Sequence, residues 1–432
     1  MGLAAVWVSA AVGACGSSPQ PQPAADPPSW AASVVSAPVR TAHTKLGAVG
    51  YRVVGSGPPL VLIMGYGGTM EAWDPRFVDT LAQRYRVVIF DNAGIGNTQA
   101  LPAPLTVDAM ADQTSALIGT LGLGQPDVLG WSMGGMIAQA LAVRHPAQVH
   151  RLVLCATYPG TGTVEPSQAA IQALSGSPQQ VTADLFPADQ AMASDAFSAG
   201  TADYPAAPSL SAATITAQGD AVTRWWGGAD PAGRQTATIA VPALVADGTV
   251  DRLDPVANAR TLATLIPGAR LMLYPDAGHA FLFQEGTPFT FAIESFLAGP
   301  PRPLSISGMR TQFLAGEAAV IPAGTTWAAK LKALPSGPAA LAVAMIDQPY
   351  ASTLIKFDNQ LLSFGATGAL GAAVTTLADA EQHVIDDVTA RSVQGSSMLG
   401  SWKTTTTRDT QLAQAATAAL RKALGLPAGR AG

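Results

Sequence analysis

Ser132 stands in residues 129–135, LGWSMGG, a lone serine among glycines directly after an apolar run. A serine hydroxyl is a weak nucleophile until a base takes its proton. That base in turn needs a third group to hold its tautomer and to stabilise the imidazolium that forms. Of the five histidines, His43 precedes the patterned region, His145 and His150 flank the end of the helical pattern after Ser132, and His383 lies far downstream. His279 differs. It follows the apolar run RLMLYP in the loop DAGHAFLF, where a strand end would carry it over Ser132. For the acid, VPALVADGTVDRLDP places Gly248 after an apolar strand pattern and Asp251 three residues on, with Asp247 and Asp254 as nearby rivals. Gly248 turns that loop and favours Asp251. Ser132, His279 and Asp251 would then supply a nucleophile, a base and an orienting acid.

These residues need a scaffold that ends several elements at one place. From about residue 45, short β-branched runs (YRVVG, PLVLIMG, YRVVIFD, PDVLG, RLVLCAT, PALVADG and RLMLYPD) alternate with helical patterns such as VDAMADQTSALIGTLG and GGMIAQALAVRHP. Several runs are continuously apolar, as strands buried on both faces must be. The reading is an α/β fold with a mostly parallel sheet and crossover helices, whose sites lie at strand ends. The strand PDVLG must turn within a few residues into the helix GGMIAQALA, and Gly130, Gly134 and Gly135 remove the Cβ atoms that would clash there. This is the G-x-S-x-G nucleophile elbow in its strand-turn-helix context. The alternation lapses over 158–240, which reads as an inserted helical cap. The three prolines of AGPPRPLS end the hydrolase-like unit at about 298. Beyond it, residues 305–432 present strand candidates (RTQFLAG, ALAVAMI, STLIKF) followed by two helical patterns, so a C-terminal α+β domain is expected. Within it Asp379, His383 and Asp387 fall at i, i+4 and i+8. An apolar stripe of Val374, Leu377, Val384 and Val388 makes them a solvated helix face, not a metal site.

With serine, acid and base in that chain order, residues from about 45 to 298 resemble the α/β-hydrolase family, within a domain expected over 41–298. LIMGYGGT is similar to the family's oxyanion loop after the third strand, and FDNAGIGNT to its Asp-x-x-Gly-x-Gly turn. The resemblance implies an α/β-hydrolase fold and an oxyanion hole made by the backbone N–H groups of Tyr66 and Met133. It also implies cleavage of a small-molecule ester through an acyl-enzyme, with no metal or organic cofactor. Met64 stands where the family usually has histidine, which makes the rigidity of that loop an open matter. Ser132 occupies the position of the aspartate used by epoxide hydrolases and haloalkane dehalogenases, which argues against both reactions. A cofactor-free peroxidase-like enzyme or a carbon–carbon bond hydrolase would share the triad, and a binding module built on the same scaffold is the rival from another class. Tyr66, Trp73, Trp131, Trp225 and Trp226 are candidates for an apolar substrate wall or for core packing.

The N-terminal stretch MGLAAVWVSAAVGAC is too short to span a bilayer and ends in Val12-Gly13-Ala14-Cys15, which resembles the lipobox of a bacterial lipoprotein. The resemblance implies a signal over 1–14, lipidation of Cys15, a flexible tether over 15–40, and membrane attachment outside the cytoplasm. No basic residue precedes Arg40, so the positive segment of a secretory signal is missing; a start further upstream and a plain apolar N-terminus of no export value are the two readings of that absence. Charged residues make up only 12% of the chain and Lys and Arg are scattered singly, which sets nucleic acid aside as a partner. Two cysteines in unlike contexts exclude a disulfide framework, and Cys155 reads as a small buried hydrophobe. Nothing in the sequence points to a particular oligomeric state.

Overall fold

The computed structural model describes residues 33–428 apart from 174–177, 206, 209, 300–303, 334–339, 363, 365, 367 and 395–398. The predicted lipidation site Cys15 and the signal lie outside the described residues. Eight strands, β1 (Arg40–Thr44), β2 (Gly47–Val54), β3 (Pro59–Ile63), β4 (Arg86–Phe90), β5 (Asp127–Trp131), β6 (Leu152–Cys155), β7 (Ala243–Gly248) and β8 (Arg270–Tyr274), form one sheet in the order β1-β2-β4-β3-β5-β6-β7-β8. β2 pairs antiparallel with β1 and β4, and every later pairing, from β4–β3 through to β7–β8, is parallel.

Parallel strands need crossovers, and helices α1 (Pro75–Ala82), α2 (Val107–Thr120), α3 (Met133–Arg144), α8 (Ala257–Leu265) and α10 (Gly286–Leu297) cover the two faces. Successive strand residues therefore enter different cores. Val61 and Ile63 of β3 pack with α2 and α3, while Leu60 and Leu62 pack with α1 and α10. Val88 and Phe90 of β4 part from Val87 and Ile89 in the same way. Both cores are dry at the strands, which explains why these runs are apolar without alternation. Helix starts are set by short polar side chains. Asp74 accepts the Arg76 N–H ahead of Pro75 at the first turn of α1, and Thr106 accepts the Ala109 N–H at α2.

Between β6 and β7 the chain leaves the sheet for α4 (Gln168–Ala173), α5 (Pro178–Leu185), α6 (Ala191–Thr201) and α7 (Ala212–Trp226), a helical insertion within the expected 158–240. The short helix α9 (Phe281–Gln284) follows β8.

Two expectations are corrected. The tether of 15–40 does not extend to its expected end. Val34 and Ala37 are buried, Ser33 and the Val34 N–H bond Asp79 at 2.6 and 2.7 Å, the Arg52 guanidinium donates to the Ala37 carbonyl, and Arg40 opens β1. The C-terminal unit is also not α+β. Its described residues form four long helices, α11 (Ile306–Lys332), α12 (Ala340–Leu362), α13 (Gly368–Gln394) and α14 (Leu399–Ala423). The strand candidates fall inside α11 and α12 because a short apolar run looks the same in a strand and in a buried helix turn. Met309, Phe313 and Glu317 of α11 recur every four residues; the first two share a core with Phe357 and Leu361 of α12, Leu377 of α13, Leu420 of α14 and Leu424 just past its end, and Glu317 pairs with Arg421 of α14. Asp379 and His383 lie exposed and Asp387 half-buried on α13, opposite the buried Val374, Leu377, Val384 and Val388, as the helix period requires. Among the described residues no group of side chains could hold a metal ion, and no helix is long and apolar enough to cross a membrane.

Asp358 on α12 and Glu381 on α13 hydrogen-bond to each other inside this bundle. Burial raises both above the usual carboxyl range, Asp358 well above it and Glu381 to about 7. The folded state thus binds protons that the unfolded chain releases near its ordinary value of about 4.3. The contribution of Glu381 to stability is complete below that value and falls as pH rises through about 7. Hydrogen exchange read on α12 and α13 is expected to quicken between pH 5 and 8, after correction for intrinsic rates. Glu381→Gln is expected to flatten that dependence, and an unchanged profile in the variant would sink the assignment.

Candidate active site

The C-terminal ends of β3, β5, β7 and β8 converge on one region, and four loops leaving them carry the candidate residues. β5 ends at Trp131 and α3 begins at Met133, so Ser132 alone makes the turn, at φ 57° and ψ −125°. A side-chain-bearing residue seldom takes a positive φ, and it persists where surrounding contacts over-determine it. Here they do. The Ser132 N–H donates to Cys155 O at 2.9 Å, and its carbonyl accepts from Thr157 Oγ1 at 2.7 Å and from the Gly135 N–H at 2.8 Å. Gly130 and Gly134 allow the approach: a Cβ would stand 2.2 Å from Gly134 O at the first and 2.0 Å from Ile63 O at the second. Cys155 is buried, and burial drives its thiol well above the ordinary range, so its role is this main-chain bond.

His279 is 4% exposed, and its Nδ1 lies 2.7 Å from Asp251 Oδ2. The other oxygen of Asp251 accepts the N–H groups of Leu253 and Asp254 at 2.7 and 2.8 Å. The acid is thus oriented from the main chain while its second oxygen holds the imidazole. Its rivals lie close by but bond other groups than the imidazole. Asp247 accepts the Gly248 N–H and Asp254 accepts from Asn258 Nδ2, each at 2.7 Å, and burial, reinforced by the charge of Asp251, pushes both carboxyls well above the usual range. The indole N–H of Trp131 donates to the His279 carbonyl at 2.9 Å, which fastens the histidine loop to the residue before Ser132. Of the other histidines, His145 and His150 pair with Asp112 and Asp127 at the end of α3, away from these loops.

The loop after β3 runs beside the serine. A Cβ on Gly65 would stand 3.7 Å from Ser132 Oγ. Among the described residues neither the Tyr66 N–H nor the Met133 N–H meets an acceptor in the chain, and Met133 opens α3, where unbonded N–H groups and the positive end of the helix dipole are found. That arrangement can receive an oxyanion. Met64, in place of histidine, turns its side chain into the core over Gly68, and its carbonyl accepts from Asn92 Nδ2 at 2.8 Å. Asn92 is 1% exposed and lies in the motif FDNAGIGNT, whose Asp91 bonds the Met70 and Asn97 N–H groups and is raised by burial to about 6. A second tie comes from the cap: Gln218 Oε1 accepts the Gly67 N–H at 2.9 Å. Sequence reading did not single out Asn92, Thr157 or Gln218. Asn92 sat in a motif already quoted, whereas Gln218 had no signal beyond being polar on a helix face.

The aromatic residues divide. Trp73, Trp131 and Trp225 are at most 5% exposed and belong to the two cores, Trp73 and Trp131 with Phe77 and Phe283, so they pack the cores, Trp131 adding its bond to the His279 carbonyl. Tyr66 and Trp226 remain half-buried, Trp226 with its ring centroid 5.0 Å from that of Tyr158.

Residues 58–286 match the model of the alpha/beta hydrolase fold family. The chain is 32% identical over 258 residues to a putative non-heme bromoperoxidase, BpoC, of Mycobacterium tuberculosis, which spans 56% of this chain and 95% of that protein. It is 32% identical over 263 residues to the pimeloyl-[acyl-carrier protein] methyl ester esterase of Chromobacterium violaceum, spanning 56% and 96%. It is also 33% identical over 258 residues to the polyketide synthase ThaQ of Burkholderia thailandensis, of which it spans only 12%. Among solved structures, an alpha/beta hydrolase fold protein from Chitinophaga pinensis superposes with a TM-score of 0.55 at 26% identity, over 61% of this chain and 98% of that one. The elbow, the acid and histidine loops and the family match over half the chain agree: this protein belongs to the α/β-hydrolase fold family.

Proposed function

We propose that the protein is a serine hydrolase that cleaves a small or lipid-like carboxylic ester through an acyl-enzyme. The observation that carries this reading is the His279–Asp251 bond at 2.7 Å, fastened by Trp131 beside a serine held in the elbow conformation. With Nδ1 engaged by Asp251, Nε2 is the nitrogen left to take the Ser132 proton. Ser132 Oγ bonds to the carbonyl carbon, and the charge that develops on the carbonyl oxygen is met by the N–H groups of Tyr66 and Met133. The C–O bond to the alcohol then breaks as His279 returns the proton, and water repeats the sequence in reverse to release the acid. The relative whose name specifies a methyl ester esterase supports the ester class. The relative named as a bromoperoxidase favours a second reading, peracid formation by the same acyl-enzyme with peroxide as the acceptor.

The same proposal places the enzyme at the bacterial cell envelope, lipid-anchored through Cys15 and facing away from the cytoplasm. The lipobox-like run Val12-Gly13-Ala14-Cys15 supports it. Cys15→Ala is expected to abolish incorporation of an alkyne fatty acid and to move the protein from the membrane fraction to the soluble one. Unchanged partition would remove the anchor from the proposal.

A fluorophosphonate probe followed by peptide mass spectrometry is expected to modify Ser132, and Ser132→Ala to lose both label and esterase turnover with the fold kept. Asp251→Asn is expected to lower kcat by about 10³- to 10⁴-fold, since it removes the charge and the tautomer control but not the packing. Turnover that survives in Ser132→Ala refutes the mechanism. Acceptance of peroxide over water in the wild-type chain would transfer support to the second reading.

A further inference from the structure

Helix α7 of the cap lies across two loops at the strand ends. Thr214 Oγ1, in its first turn, donates to Gly94 O at 3.2 Å, and a Cβ on Gly67 would meet Ile215 Cδ1 at 3.3 Å. A Cβ on Gly219 would stand 3.7 Å from the Tyr66 ring. Between these contacts sits Gln218, fully buried, with Oε1 on the Gly67 N–H at 2.9 Å and Nε2 without a partner among the described residues. A buried amide costs free energy unless its groups are bonded, so packing alone gives no reason for glutamine at this place.

The main chain supplies a reason. The bond from Gln218 fixes the peptide plane between Tyr66 and Gly67, and the bond from Asn92 to Met64 O fixes the plane between Met64 and Gly65. The plane between them carries the Tyr66 N–H. Peptide planarity leaves two soft dihedrals per residue, so a plane held at both neighbours has little freedom to swing. We propose that Gln218 is a positioning residue of the cap: it aims the Tyr66 N–H at the oxyanion by holding Gly67, in a loop where Met64 replaces the usual histidine. Cap position and transition-state stabilisation are thereby linked through one hydrogen bond. This inference rests on the serine hydrolase reading above.

A donor whose aim matters for a charge that exists only in the transition state acts on kcat more than on KM. With p-nitrophenyl butyrate as the probe, Gln218→Met is expected to lower kcat by about tenfold or more while KM stays within about threefold. Gln218→Asn, one methylene too short to reach Gly67, is expected to behave alike and covers the case in which the methionine variant fails to fold. Gln218→Glu, which keeps an oxygen for the Gly67 N–H, is expected to retain kcat within a few-fold of wild type. Wild-type kcat in the methionine or asparagine variant, an effect confined to KM, or equal losses in all three variants would overturn the proposal. Fluorophosphonate labelling of the wild-type chain separates the two levels. Without labelling at Ser132 the hydrolase reading fails and takes this inference with it, whereas labelling together with an unaffected Gln218→Met sinks the inference alone.

Discussion

Ser132 must leave β5 and enter α3 within one residue, and the main chains of three neighbouring strands meet around that turn. Cys155 at the end of β6 accepts its N–H, and Ile63 at the end of β3 lies where any side chain on Gly134 would have to go. A positive φ at a serine is unfavourable by itself, on the order of 1 to 3 kcal/mol, so the sheet has to supply the constraint. It does so because β3, β5 and β6 are adjacent and parallel and end at the same level. Rigid, doubly buried strands are thus a condition of the site, and the long apolar runs of the sequence are the cost of having them.

Polar groups beyond the triad then decide where the loops stand. Asp251 is oriented by two main-chain N–H groups before it touches His279, and Trp131 holds the histidine loop by its carbonyl. The loop after β3 is held by Asn92 on one side and Gln218 on the other. Met64 shows what the second pair of ties replaces. A thioether buried in the core gives the loop apolar packing but no directional bond, and directional bonds are what fix a peptide plane.

Legibility in the sequence followed the range of the interactions. Ser132, the glycines around it, and the order of serine, acid and histidine could be read because each sits in a local pattern of turn residues after an apolar run. Seven of the eight strands could be read on the same ground, but β1, RTAHT, could not, since it is an edge strand with little apolar content paired only to β2. Thr157 and Gln218 could not be read either. Their partners, Ser132 and Gly67, lie 25 and 151 residues away, and no local spacing records such a bond. Trp73, Trp131 and Trp225 posed the converse difficulty: proximity to a motif in sequence suits a pocket wall and a core side chain equally, and only burial distinguishes them.

The C-terminal unit was misread for a reason that bears on its nature. Its helices contain Pro322 and Pro349, and residues that help and hinder helix formation are mixed along them, so local propensity does not decide. Periodicity decides only over several turns. The buried faces are also not purely apolar: Glu317 pairs with Arg421, and Asp358 bonds Glu381, between helices that must align for the bonds to form. Polar groups at core positions blur the apolar stripe that a sequence reading looks for. They also restrict which helix faces can meet, because a misaligned pair would leave a carboxyl buried without its partner. In this bundle the features that hide the helices from a pattern search are the ones that specify their packing.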